Sequence, residues 1–263
     1  MHGVARLVSP RNVAIVVNRA HREFYDRMVG VPSASIVAQP CNRGTVPAIL
    51  YGLRRLANLG RNTVVAVFPC DHFFENCDRS ICYVEEAMAA VEASASMSVV
   101  LGMDPTSSDN AFGWIEPGES VCPIDPLIFR IRRFWKSPPV ELAPKLIHEG
   151  WLWNSLIIVA RAPRLQEMIA ECLPAVYVEF NMAFASFRDD SEWMAIDKLY
   201  RNMGTYGFSQ EILTRCPPNL AVKHIDGVEQ YEIIAQETHR HLANLPDRHR
   251  TVLTPATLLQ CRY

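Results

Sequence analysis

The feature that most constrains the fold is an alternation of short β-branched runs with longer stretches of helical spacing over the first 101 residues. Ile49, Leu53 and Leu56 recur three and four positions apart, which is typical of one face of a helix. The runs predicted as strands are residues 13–17, 35–38, 63–68 and 96–101. This alternation predicts an α/β fold with a mostly parallel sheet, right-handed crossovers and helices on both faces.

The rest of the chain is less regular and predicts one large domain with an appendage. After Pro163 the chain is predicted to be mainly helical up to Met203. The further predicted strands are residues 112–116, 127–134, 152–160 and 220–224. We therefore expect a domain over residues 1–228, and a polar helix followed by a loose tail over residues 229–263.

Composition excludes several classes of protein. The 263 residues are 49% hydrophobic and 21% charged, enough to build a sizeable core. A net charge of −2 gives no general basic field for nucleic acid or anionic lipid. The longest apolar runs are far shorter than the roughly 20 residues that span a bilayer. We expect neither a nucleic-acid partner nor a membrane segment.

Cysteine usage favours a reducing compartment. The eight cysteines include no Cys-x-x-Cys pair, and no apolar leader follows Met1, so a cytoplasmic location is expected. Cys70, His72 and Cys77 suggest zinc, but a tetrahedral site needs a fourth ligand and none is nearby in sequence. The alternative is that these thiols pack in the core.

Two loops follow predicted strands at the edge where ligands of parallel sheets bind. The first holds Gln39, Arg43, Gly44 and Thr45, with Thr45 predicted to cap the next helix and Pro47 to lie in its first turn. Free N–H groups at such a helix start favour an anion or a polar nucleobase edge. An ordinary capped helix is the alternative.

The second loop follows an apolar strand and contains Asp71. A carboxylate at the rim of the sheet can hold Mg²⁺ against the phosphates of a nucleotide. The alternative is that Asp71 is a turn residue or a helix cap.

Six short motifs occur in an order that resembles the sugar-phosphate nucleotidyltransferases, and the mannose-1-phosphate guanylyltransferases most closely. The resemblance runs from about Arg6 to Val228. The motifs are residues 16–21 (Val-Val-Asn-Arg-Ala-His), 43–48 (Arg-Gly-Thr-Val-Pro-Ala), 69–72 (Pro-Cys-Asp-His), 112–116 (Phe-Gly-Trp-Ile-Glu), 153–155 (Trp-Asn-Ser) and 208–209 (Phe-Ser). The resemblance implies a Rossmann-like fold of the nucleotide-diphospho-sugar transferase type.

The same resemblance implies a reaction and a set of site residues. GTP and mannose 1-phosphate would give GDP-mannose and pyrophosphate with Mg²⁺ as cofactor, a step of GDP-mannose biosynthesis. Gln39, Gly44 and Thr45, with Arg43 beside them, would contact the nucleotide, and Asp71 would be a catalytic metal ligand. The residues implied in sugar-phosphate binding are Gly113, Glu116 and Asn154.

Three departures from the family pattern predict weak turnover. The family begins with a strand and a Gly-rich loop around the triphosphate, and no Gly-x-Gly occurs in this sequence. Lys136 aligns with a family Glu, and Ser137 with the family Lys that grips the sugar phosphate. Lys136 could replace that Lys as a catalytic cation, although adjacent strand residues face opposite sides. Glu232 stands where a second magnesium carboxylate is usual, with a solvent-facing helix residue as the alternative.

The first departure also bears on assembly. We expect the first strand of the family sheet to be missing, which leaves a strand edge uncovered and favours pairing with a second copy or a paralogue. Three functional hypotheses stay open. They are a guanylyltransferase of low activity, a non-catalytic module that binds nucleotide or sugar phosphate, and the remnant of a truncated gene or a chain whose start lies upstream.

Overall fold

A computed structural model describes residues 7–26, 32–56, 59–69, 72–74, 76–107, 112–185, 192–215, 219–228, 230–232 and 256–262. Within these ranges a nine-stranded sheet carries helices on both faces, and a two-stranded sheet lies beside it. The strands are β1 Val13–Asn18, β2 Ile36–Gln39, β3 Val64–Pro69, β4 His72–Phe74, β5 Ser98–Met103, β6 Trp114–Ser120, β7 Ile128–Trp135, β8 Leu152–Arg161, β9 Leu220–Ile225, β10 Gln230–Glu232 and β11 Ala256–Arg262. The helices are α1 Arg22–Tyr25, α2 Thr45–Arg55, α3 Cys77–Ala93, α4 Ala143–His148, α5 Ala162–Cys172, α6 Pro174–Ala185, α7 Glu192–Asn202 and α8 Phe208–Glu211.

The large sheet is mixed in direction. Its order is β2-β1-β11-β3-β8-β5-β9-β7-β6, and β6 also pairs with the start of β8. Six strands, β1, β2, β3, β5, β6 and β9, run in one direction, and β11, β8 and β7 run in the other. The predicted α/β class is confirmed, and all eight predicted strands are present within a few residues of their predicted bounds.

Two hydrophobic clusters hold the helices to the sheet. Val65 and Val67 of β3 belong to the cluster beneath α2, α5, α6 and α7, whereas Val64 and Ala66 belong to the cluster beneath α3 and α4. Because successive strand residues point to opposite faces, an unbroken apolar run is what a strand covered on both sides requires.

The chain after residue 228 differs from the prediction. Residues 230–232 form strand β10 rather than helix, and the remainder of the predicted helix lies outside the described residues. Residues 256–262 are not a loose tail, because they form β11, an inner strand that lies between β1 and β3.

The predicted open edge of the sheet is also absent from the described part of the chain. Strand β11 lies antiparallel between β1 and β3, with Gln260 opposite both Val13 and Ala66. Strands β1 and β3 run parallel on either side of it, so each would present a row of unpaired N–H and C=O groups without it. Pairing of these groups explains why an extended segment is placed there.

Candidate functional site

Gln39 ends β2 at the predicted nucleotide side of the sheet and is only 7% exposed. Its Oε1 accepts a hydrogen bond from the Tyr200 hydroxyl at 3.3 Å. Burial, with smaller contributions from Tyr51 and Cys41, raises the pKa of Tyr200 well above its ordinary value. The phenol therefore stays protonated and orients the Gln39 amide, whose own N–H groups are the ones suited to a nucleobase edge.

The turn at Gly44 lies directly against the chain near Tyr206. Gly44 has φ +86°, and a Cβ there would come within 2.7 Å of the Tyr206 carbonyl carbon. The Val46 N–H donates to the Tyr206 carbonyl at 3.0 Å, and the Tyr206 N–H donates to the Arg43 carbonyl at 2.9 Å. Only glycine allows this approach at a left-handed backbone position.

Thr45 does not cap α2 as predicted. The N-cap is Gly44, and Thr45 is the first helical residue. The Thr45 hydroxyl instead accepts a hydrogen bond from the Phe208 N–H at 2.7 Å, a longer-range contact that local sequence does not reveal. Pro47 lies in the first turn of α2, as predicted.

The Arg43 side chain points to α7 in this structure. Its Nε donates to the Tyr200 carbonyl at 2.7 Å, and a terminal nitrogen donates to the Arg201 carbonyl at 3.4 Å. These carbonyls belong to the last turn of α7, where cations satisfy groups that have no helical partner. The cation predicted for the nucleotide loop thus stabilises a helix end.

Asn154, on the predicted sugar-phosphate side, is 1% exposed and makes three hydrogen bonds. Its N–H donates to the Gly113 carbonyl at 2.8 Å, and its Nδ2 donates to the Ser209 hydroxyl at 3.3 Å. Its Oδ1 accepts from the Leu156 N–H at 3.1 Å, beside a left-handed φ of +64° at Leu156. Asn154 therefore brings Gly113 and Ser209 together and supports an irregular point in β8.

The two charged residues predicted near the sugar phosphate both have protein partners. Lys136 donates to Gln210 Oε1 at 2.9 Å. Glu116 pairs with Arg133 at 3.1 Å, and the Arg133 guanidinium lies 5.3 Å from the centre of the Trp151 ring. Among the described residues, the partner of Lys136 is a neutral amide, whereas the partner of Glu116 is a cation.

One stretch connects both sides of the site, and we call residues 203–210 the clasp. It contacts the loop predicted to bind nucleotide through Tyr206 and Phe208, and the side predicted to bind sugar phosphate through Ser209 and Gln210. Of these residues, only the Phe208-Ser209 pair is marked by a motif in the sequence. The two glycines that flank Tyr206, at 204 and 207, are the signal that could have identified the rest of the turn.

Of the two predicted magnesium ligands, Asp71 and Glu232, the structure describes only the backbone of Glu232, on β10. Cys70 and Asp71 lie outside the described residues, whereas the backbone of Glu232 lies opposite His72 in the two-stranded sheet. This register places the backbone of residue 232 opposite the residue that follows Asp71 in the sequence. Over the described ranges, no cluster of three or more His, Cys, Asp or Glu residues could hold a metal.

A carboxylate that no sequence motif marks lies near the same edge. Asp104 follows β5, and its Oδ1 lies 2.8 Å from Nε2 of His224 on β9. An Asp after a strand is also a common turn residue, so its position alone does not distinguish it.

The fold and this edge define an α/β protein of the nucleotide-diphospho-sugar transferase type, with loop segments gathered around the strand ends. The nucleotidyl transferase family matches the chain over residues 2–205, and the chain belongs to this family.

The curated relatives of this chain include proteins named for alginate biosynthesis, for xanthan biosynthesis and as mannose-1-phosphate guanylyltransferase. The alginate biosynthesis protein AlgA of Pseudomonas putida is 23% identical over 188 residues, which are 70% of this chain and 38% of that protein. The xanthan biosynthesis protein XanB of Xanthomonas campestris is 25% identical over 70% of this chain and 39% of its own length. A mannose-1-phosphate guanylyltransferase of Salmonella montevideo is 25% identical over 70% of this chain and 40% of its own length. The chain thus spans about two fifths of the length of these relatives.

Solved structures share the fold. The structure titled mannose-1-phosphate geranyltransferase, from Thermus thermophilus, matches 88% of this chain and 63% of its own, with a TM-score of 0.73 and 19% identity. The mannose-6-phosphate isomerase of Helicobacter pylori matches 82% of this chain and 83% of its own, with a TM-score of 0.63 and 15% identity. As for membranes, none of the helices that the structure describes has both the length and the apolar character to cross a bilayer.

Proposed function

We propose that this chain binds GTP and mannose 1-phosphate and transfers the guanylyl group slowly. A relative named mannose-1-phosphate guanylyltransferase supports the choice of substrates. An oxygen of the sugar phosphate attacks the α-phosphorus of GTP, the bond from that phosphorus to the bridging oxygen breaks, and pyrophosphate leaves. The product is GDP-mannose.

The observation that carries this proposal is the clasp. Thr45 and Val46 on the nucleotide side, and Asn154 and Lys136 on the sugar side, all bond to residues within the same short segment. Two anionic substrates react only when they are held in line, so a segment that fixes both half-sites reduces the entropic cost of the reaction. Lys136 would supply positive charge to the sugar phosphate.

Asp71 and Glu232 are the residues that we propose to hold Mg²⁺, on the basis of the β4 and β10 register. The ion would neutralise charge on the triphosphate. Titration of a fluorescent GTP analogue with Mg²⁺ tests this role, and Asp71→Asn is expected to weaken binding clearly. Equal affinities of the two proteins would rule out Asp71 as a ligand.

Slow transfer is expected because the sequence lacks two elements of the family pattern: a Gly-rich loop that supplies N–H donors, and a Lys that supplies positive charge. There is no Gly-x-Gly among the 263 residues, and Ser137 stands where the family carries Lys. Loss of one preorganised donor commonly costs about 10²–10³ in rate. Pyrophosphate release with GTP and mannose 1-phosphate, compared with the Salmonella relative, is expected to be at least about 10³-fold slower. A rate equal to that of the relative would contradict this expectation.

The nucleobase and the sugar are tested in the same assay. ATP or UTP in place of GTP, and glucose 1-phosphate in place of mannose 1-phosphate, are expected to give lower rates. A preference for another nucleotide and sugar phosphate would support nucleotidyl transfer but reject GTP and mannose 1-phosphate as the substrates.

A non-catalytic binding module is a second candidate, favoured by Arg43. Its guanidinium bonds to the last turn of α7 rather than facing the loop that would hold the nucleotide. This candidate predicts measurable binding of GTP or mannose 1-phosphate by calorimetry without any release of pyrophosphate. Release above the level of an Asp71→Asn control would reject it.

A further inference from the structure

Strand β11 occupies a gap whose two walls come from distant parts of the chain. Along one wall it pairs with β1, from Val13 opposite Gln260 to Val17 opposite Ala256. Along the other wall it pairs with β3, from Val64 opposite Arg262 to Pro69 opposite Thr257. Both ladders are antiparallel, so one extended segment pairs with the N–H and C=O groups on the facing edges of two parallel strands.

A long stretch of sequence, residues 233–255, separates β11 from β10. At ~3.3 Å per extended residue, a stretch of this length can reach well beyond the gap, so its length alone does not require β11 to lie there. Backbone pairing with β1 on one side and with β3 on the other therefore holds β11 in the sheet.

The gap selects an extended segment with apolar residues at its centre. The wall residues Ala14 and Val67 lie opposite Leu259, and Ile15 and Phe68 lie opposite Leu258. The first pair belongs to the core cluster on one face of the sheet and the second pair to the cluster on the other face. An occupant consequently needs two adjacent apolar residues, one for each face, as in a strand that is covered on both sides.

We propose that the gap between β1 and β3 is a strand-acceptor site, whose occupant is the chain's own β11 and which also binds an extended peptide of the same sequence in exchange for it. A tether of moderate length gives an effective concentration in the millimolar range, far above the micromolar concentration of a second copy in solution. The chain therefore fills its own site, and exchange with a free peptide takes place when β11 leaves.

A single substitution in the full chain tests whether β11 lies beside β3. Val65 lies opposite Cys261, and directly paired residues of antiparallel strands have the Cα separation that a disulfide requires. Val65→Cys, mildly oxidised, is expected to form the disulfide with Cys261 within one chain, as seen by mass spectrometry of proteolytic fragments. The matched control is Val65→Cys with Cys261→Ser, which removes the partner thiol alone. A disulfide between two chains would show that a second copy, and not the chain's own β11, occupies the gap. The absence of any disulfide would reject the pairing of Val65 with Cys261.

Exchange is tested with a labelled peptide of residues 256–262 and the same peptide carrying Leu259→Pro. Fluorescence anisotropy is expected to show that the first peptide binds the reduced Val65→Cys protein at least about tenfold more tightly than the oxidised protein. The proline peptide lacks a ladder N–H and is expected not to bind. Equal binding to both redox forms, or no binding to the reduced form, would reject an exchangeable acceptor site.

Discussion

Gly44 shows how one backbone angle organises the candidate site. Its left-handed φ turns the chain into α2, and the missing side chain leaves room for the Tyr206 carbonyl. The family resemblance implies a contact of Gly44 with the nucleotide, whereas the structure gives it a steric role that requires no ligand. The loop is positioned because a second segment packs against it.

We predict that Gly44→Ala destabilises the fold by about 2 kcal/mol or more, since strain at a left-handed position adds to a clash with backbone. Urea unfolding followed by circular dichroism measures the change. Gly207→Ala is the matched control, because Gly207 has φ −86° and a Cβ there would meet only Gln210, at 3.8 Å. Equal effects of the two substitutions would contradict the close-approach argument.

Lys223 is a buried charge that no motif indicated. Its side chain is 1% exposed on β9, bonds to Asp125, and lies 2.8 Å from Glu86. Burial alone would lower the pKa of Lys223, but hydrogen bonds to the two carboxylates outweigh it and raise the pKa above 10.5. The ammonium therefore stays charged, and its ion pairs contribute fully below pH 10.5 and are lost as the pH rises through the raised value.

We predict that Lys223→Ala lowers the free energy of unfolding by about 3 kcal/mol at pH 7, because it leaves the poorly exposed Asp125 carboxylate without its cation. Lys145→Ala, on an exposed pair with Glu149, is the control and is expected to cost less than about 1 kcal/mol. The difference between Lys223→Ala and wild type is expected to shrink at strongly alkaline pH. A constant difference from pH 7 to alkaline conditions would contradict the ion-pair explanation.

At the scale of elements, the irregular point in β8 depends on one amide. Asn154 accepts from the Leu156 N–H and holds Ser209 of the clasp, while β5 continues alongside with a register shift between Val100 and Gly102. Because β8 is irregular at this point, Asn154 stays buried between Gly113 and the clasp. The family resemblance implies that Asn154 contacts substrate, and the structure adds a supporting role.

We predict that Asn154→Ala lowers the unfolding free energy by about 1–3 kcal/mol, because the Leu156 N–H and the Ser209 hydroxyl lose their partner, whereas the backbone bond to Gly113 is kept. Thermal unfolding and mannose 1-phosphate binding should change together. Ser209→Ala removes only one of the hydrogen bonds and is expected to have a smaller effect on stability. An unchanged melting temperature with lost binding would instead indicate direct contact with substrate.

The elements that periodicity predicts well are those buried on both faces. The apolar runs of β1, β3 and β8 are short and rich in β-branched residues, which favours strands covered on both faces over buried helices. The contacts of Arg43 and Thr45 were harder to predict, because their partners lie near residues 200–208. No local sequence pattern encodes contacts over that distance. The strand β11 was missed because its pairing with β1 and β3 is decided by unpaired edges elsewhere in the chain.

At the scale of the whole molecule, β11 joins the part of the sheet that carries β1 and β2 to the part that carries β3 and the remaining strands. We predict that Leu259→Pro lowers the melting temperature by roughly 6–12 °C, because proline removes a ladder hydrogen bond from an inner strand; a cost of about 3 kcal/mol, as for proline inside a helix, corresponds to this shift. Differential scanning calorimetry measures the shift. Ala175→Pro, in the first turn of α6 where an N–H has no helical partner, is the control with little expected effect. Equal shifts would show that β11 contributes little to the sheet.

The position of β11 also sets the order in which the molecule can be assembled. It follows every other strand of the large sheet in sequence, so β1, β2 and β3 leave the ribosome before the segment that lies between them. Until that segment arrives, two facing edges are open to extended parts of neighbouring nascent chains. The pairing of Val13 with Gln260 closes almost the whole chain into a loop, and contacts so distant in sequence form slowly. The sheet is therefore closed between β1 and β3 only after the rest of its strands have been made, and the two open edges are exposed to aggregation until then.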